Sequence, residues 1–150
     1  MNDPTISQNT TILAYLGDAV FELHVRQHVL DQGVCKAENL HKAAVKYVRA
    51  EAQAQALKVL LPDLSEEEVA LVKRARNKKI TSKPRNADPI AYKWATALEA
   101  LIGYLHLSQQ SDRLEEILSK VIQTTETIPA GAIAVDLDPV EDNTEDPEDE

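Results

Sequence analysis

The chain has 150 residues, 43% of them hydrophobic, and a formal net charge of −9. That length supports one domain with a modest core, and a single cysteine, Cys35, excludes an intrachain disulfide and favours a reducing, cytoplasmic compartment. The first ten residues, MNDPTISQNT, have neither the basic start nor the apolar run of a signal peptide, and no stretch is long and apolar enough to span a bilayer, so neither export nor a membrane partner is expected.

Taken in chain order, the pattern predicts helices. Thr10 or Thr11 can cap a first helix on which Leu13, Leu16, Val20 and Leu23 recur at three- and four-residue intervals, with Leu30 in phase, up to a stop near Gly33. The alanine-rich stretch 37–61 continues as one kinked or two short helices, with the β-branched Val45 and Val48 flanking the expected break and Pro62 ending it. Ser65 with Glu68 three residues later is a capping-box signature ahead of a helix to about Ala75. After a basic segment, Asp88-Pro89 reads as N-cap and first-turn proline of a helix through roughly Leu107, and a last helix runs from Ser111 to about Thr125. No stretch alternates over the length of a strand. The expected fold class is therefore all-α, with residues 1–125 as the folded domain and 126–150, rich in Asp, Glu and Pro, as a disordered acidic tail.

The negative charge is confined to one end. Residues 121–150 hold ten acidic residues and no Lys or Arg, which leaves 1–120 with 16 basic and 15 acidic residues. Between positions 73 and 93, Lys73, Arg74, Arg76, Lys78, Lys79, Lys83, Arg85 and Lys93 face a single acid, Asp88, giving +7 in one segment. Charge runs are commonly just solvated surface, but clustering on this scale can neutralise several backbone phosphates and favours a nucleic-acid contact through Lys73, Arg74, Arg76, Lys78, Lys79, Lys83 and Arg85. The tail can act as a solubilising extension or shield that patch.

Two acids stand where a core helix has no use for them. Asp18 lies in AYLGDAVFE at 14–22 and Glu99 in ATALEALIGYLHL at 95–107, both apolar helical stretches. An unpaired carboxylate in a low-dielectric interior is costly, so a cation shared by the two helices is the simplest account, and hard oxygen ligands suit Mg²⁺ beside a phosphate. Each acid has a glycine close by, Gly17 before Asp18 and Gly103 one turn after Glu99. Glycine inside a helix costs about 1 kcal/mol relative to alanine, a cost that close approach of two helix backbones would offset. The ordinary alternative is a plain helix crossing with salt-bridged or edge acids.

The segments AYLGDAVFE, LHKAAVKYVRAEAQA at 40–54, RARNKK at 74–79 and ATALEALIGYLHL, in that order, resemble the ribonuclease III catalytic domain, and most closely the mini-ribonuclease III type that lacks a double-stranded-RNA-binding domain. The resemblance spans roughly 12–118. It implies a helical homodimer that cuts double-stranded RNA with Mg²⁺, with Asp18 and Glu99 as metal-binding catalytic carboxylates and 5′-phosphate and 3′-hydroxyl ends on the products. It further implies the precursor of 23S ribosomal RNA as substrate, and leaves open a ribosomal protein that presents it. Larger ribonuclease III enzymes carry two more acidic ligands, at positions that are Ala14 and Thr96 here, which puts a tightly held metal pair in doubt. Glu22 reads as a surface acid or an outer-sphere ligand, His24 and His28 as exposed helix histidines, and Trp94 and Tyr92 as packing residues. Two other classes stay open: a catalytically silent module that binds double-stranded RNA, and a helical adaptor whose partner takes the tail.

Overall fold

A computed structural model describes residues 8–80 and 83–128. Among the described residues six helices pack together: α1 Thr10–Asp31, α2 Ala37–Val48, α3 Ala50–Leu60, α4 Glu66–Asn77, α5 Pro89–Leu107 and α6 Ser111–Thr127, with a short 3₁₀ turn Leu61–Asp63 after α3. The all-α expectation holds among the described residues. The acidic tail, from position 129 on, lies outside them, and α6 runs to Thr127, slightly past the expected end at Thr125.

The caps mark where sequence chemistry sets the helix ends. Asn9, not Thr10 or Thr11, caps α1, its side-chain oxygen accepting from the amides of Thr11 and Ile12, while Thr10 is buried in the first turn. Gly33, at φ +88°, follows the end of α1 as a left-handed stop. The break between α2 and α3 falls at Arg49, whose extended ψ of 148° interrupts the ladder one residue after Val48. Asp88 caps α5 by accepting from the Ile90 amide, with Pro89 opening the helix.

Helix α5 is the centre of the fold, packed against α1, α3, α4 and α6. Accordingly Ala91, Trp94, Leu98, Leu101, Ile102 and Leu105 are buried on several faces of it. Helix α1 lays Leu13, Gly17, Phe21, Val25 and Val29 against it. This corrects the predicted stripe: Leu23 is 69% and Leu30 51% exposed, and Leu16 and Val20 are only partly covered. The true face passes through Gly17, which a hydrophobicity pattern does not count, so the apparent period shifts onto the wrong side.

Glu68 serves two ends of the structure. It completes the capping box with Ser65, and although only 4% exposed it receives two hydrogen bonds from Arg113 of α6, at 2.7 and 3.0 Å. Arg113 also donates to the Asp63 carbonyl at 3.0 Å, so one guanidinium ties α4, the 3₁₀ turn and α6 together. The hydrogen bonds from Arg113 hold the Glu68 carboxyl below its ordinary 4.5. A lowered folded-state pKa gives stability that is complete above the unfolded value and is lost as the pH falls through the folded value. Glu68→Gln is therefore expected to cost about 2 kcal/mol at pH 7 and to flatten the acid limb below roughly pH 4.5, as read by urea unfolding at a series of pH values. An acid limb identical to that of the unsubstituted protein would assign its loss to other carboxylates.

Candidate active site

The site begins at a helix crossing. A Cβ at Gly17 would overlap the Glu99 carbonyl and stand 2.9 Å from the Gly103 amide nitrogen, and a Cβ at Gly103 would overlap the carbonyl of Leu13. Helices α1 and α5 thus touch backbone to backbone, with no side chain between them. The residues next to this contact, Asp18 on α1 and Glu99 on α5, are brought together at its edge.

Their burial differs from the sequence expectation. Asp18 is exposed on the lip of a cleft, and Glu99 is half-buried behind it. Neither is a core acid, because each helix rotates its carboxylate just out of the crossing. Burial first, then the charge of Asp18, then a hydrogen bond with Asp18 push the Glu99 carboxyl up to about 9. At neutral pH the metal-free pair therefore retains a proton, which a cation binding between the two oxygens would displace. A like-charge pair at the head of an open cleft, without a Lys or Arg bridge among the described residues, fits a hard divalent cation by its donor set.

The cleft has a volume of about 540 Å³ and is walled by Thr11, Ala14 and Tyr15 of α1, Lys78 and Lys79 beyond α4, Pro84, and Tyr92, Lys93 and Thr96 of α5. Of the expected phosphate-binding residues, Lys78 and Lys79 line the cleft that holds the carboxylates. Lys78 Nζ donates to Thr11 Oγ1 at 2.7 Å, which pins the segment after α4 to the start of α1. Lys73, Lys79, Lys83 and Arg85 are exposed, whereas Arg74 and Arg76 are half-buried. The Arg76 guanidinium lies 5.0 Å over the buried Trp94 ring and its Nε donates to Asn77 at 3.1 Å. Arg74 has a buried Nε that finds no hydrogen-bond partner among the described residues. Lys73, Arg74, Arg76, Lys83 and Arg85 do not line the cleft.

Sequence reasoning missed Thr11, Tyr15 and Lys93 as cleft residues. Helical spacing contained the signal: Thr11, Ala14 and Tyr15 precede Asp18 by seven, four and three residues, and Thr96 and Tyr92 precede Glu99 by three and seven. Glu22 lies elsewhere, paired with Arg26 at 3.0 Å on the surface. His24 and His28 are not simply exposed. They line a separate hollow of about 660 Å³ against Glu115 and Glu126 of α6, where burial lowers the His24 pKa against the pull of Glu115, and His28 stacks edge-on to Tyr47.

Residues 11–110 match the ribonuclease III domain family. The chain belongs to the ribonuclease III family. It is 48% identical over 124 residues to mini-ribonuclease 3 of Brevibacillus brevis, covering 83% of this chain and 92% of that one. The mini-ribonuclease 3 of Streptococcus pneumoniae is 40% identical over 120 residues, 79% of this chain and 94% of its own. A crystal structure of a Fusobacterium nucleatum protein superposes with a TM-score of 0.69 at 36% identity, over 77% of this chain and 92% of that chain. Family membership makes this chain an endoribonuclease, and places the cleft beside Asp18 and Glu99 within the matched region.

Proposed function

We propose that the chain is a Mg²⁺-dependent endoribonuclease that cuts double-stranded RNA as a cytoplasmic homodimer, with the precursor of 23S ribosomal RNA as its natural substrate. The observation that carries the reading is the Asp18–Glu99 pair at the head of a cleft whose walls hold Lys78, Lys79 and Lys93. The ribosomal precursor, and with it a ribosomal protein that presents it, rests on the likeness to the mini-type enzymes. Dimerisation is supported by α1, which leaves Tyr15 84% exposed, with Leu23 and Leu30 also in solvent.

The bound metal supplies the Lewis-acid charge that lowers the barrier to phosphodiester hydrolysis. Asp18 and Glu99 hold it. Water attacks phosphorus in line, the bond from phosphorus to the 3′ oxygen breaks, and that oxygen leaves as the 3′-hydroxyl after gaining a proton, with the phosphate kept on the 5′ end. The lysines of the cleft wall and the exposed Lys73, Lys83 and Arg85 bind backbone phosphates, so recognition follows the shape and 2′-hydroxyls of an A-form duplex more than its sequence.

End-labelled duplex and single-stranded RNA, incubated with the full chain in Mg²⁺ or EDTA, test this directly. Cutting of the duplex alone, abolished by EDTA and weakened steeply as salt is raised, is the expected result. Duplex binding without cutting at any Mg²⁺ concentration would instead make the domain a silent RNA-binding module.

A further inference from the structure

Asp18 and Glu99 are the only acidic residues lining the cleft among the described residues, and no three His, Cys, Asp or Glu side chains gather closely enough there, or elsewhere among them, to hold a metal ion. One turn before each carboxylate, on the same wall, stand Ala14 and Thr96. Ala14 has no donor atom, and the Thr96 hydroxyl, which donates to the Tyr92 carbonyl at 2.9 Å within its own helix, is a neutral oxygen that adds no negative charge to the donor set. Mg²⁺ commonly takes one or two carboxylates and fills its octahedron with water, so this donor set is complete with one ion.

Charge leads to the same count. One divalent cation neutralises two carboxylates. A second would sit about 4 Å from the first, the usual spacing of paired catalytic metals, with fourfold the repulsion of two unit charges and three lysines on the same walls. Those lysines are not equivalent. Lys78 is engaged by Thr11, and Lys79 is exposed beyond the end of α4. Lys93 is half-buried, rises from the same rigid helix as Glu99, and forms no hydrogen bond or ion pair with the described residues.

Resting on the function proposed above, we propose that each cleft takes a single divalent cation, between Asp18 and Glu99, and that the Lys93 ammonium supplies the second positive charge to the reacting phosphate. The protein thereby replaces one metal of a paired site with a side chain fixed on α5. Lys93 stabilises charge on the phosphate oxygens and transfers no proton, so its contribution grows as that charge develops.

Mn²⁺ titration of the full chain, followed by the electron paramagnetic resonance signal of the free ion, counts the sites without reference to turnover. One Mn²⁺ per chain is expected, with Thr96→Glu adding a second or tightening the first at least tenfold. Lys93→Ala should leave that count at one and lower kcat at least a hundredfold, a loss far larger than its effect on duplex affinity, and Lys93→Arg should recover much of it. Two Mn²⁺ of similar affinity in the unsubstituted chain overturn the single-ion count, and an unchanged kcat in Lys93→Ala overturns the role of the lysine. No bound Mn²⁺ together with no duplex cleavage would instead remove the metal-dependent reading on which both rest.

Discussion

Asp18→Asn reduces duplex cleavage by on the order of a thousandfold or more while the protein stays folded. The substitution keeps the shape of the side chain and removes one of two anionic ligands at the head of the cleft. A divalent ion contributes several kcal/mol of charge stabilisation in the transition state, and each 1.36 kcal/mol is tenfold in rate, so a loss of about 4 kcal/mol gives that factor. Stability should change little. Asp18 is exposed, and with a proton held on the pair at neutral pH the substitution alters one hydrogen bond to Glu99 and lets its carboxyl come down from about 9. A melting temperature close to that of the parent, beside lost cleavage, is the expected pair of readings. Cleavage retained within tenfold would place the reacting phosphate somewhere other than this cleft.

Gly103→Ala carries a large expected cost in stability. An added methyl group would overlap the carbonyl of Leu13, and its obstacle is backbone, which cannot swing aside as the end of a side chain can. Overfilling a packed interior costs about 1–3 kcal/mol when side chains can shift, and separating two helices belongs at or above the top of that range. A fall in melting temperature of roughly 10 °C or more follows for a chain of this size. Gly33→Ala is the control, because nothing lies within 4 Å of the added atom and the cost is confined to the left-handed φ of +88°, about 1 kcal/mol. Equal losses at the two glycines would mean that the helices do not meet at Gly103.

Helix ends were readable because they depend on local chemistry. Ser65 with Glu68, and Asp88 with Pro89, fix the starts of α4 and α5 whatever packs around them. The buried face of α1 was misread because its centre is Gly17, a residue with no hydrophobic signal whose importance comes from a helix distant in sequence. The pairing of glycine with acid in two helices still pointed to the crossing and to Asp18 and Glu99, since both features cost energy that something must offset. What stayed hidden is non-local. Arg113 bridges to Glu68 from 45 positions away, and Lys93 counted only as one charge of a basic segment until the fold put it on the cleft wall. The basic run also held unlike roles, because Arg76 spends its planar face on Trp94 while Lys83 and Arg85 remain in solvent.

The backbone contact between α1 and α5 has a consequence for how such an enzyme can change. In most active sites the gap between two functional groups is set by layers of side chains, and repacking those layers tunes the gap by fractions of an ångström. Here the spacer is two peptide chains in direct touch, whose thickness no substitution can reduce. The separation of Asp18 and Glu99 is thus closed to gradual adjustment, and variation in substrate choice is left to the walls of the cleft, where side chains differ in length and charge without moving the carboxylates.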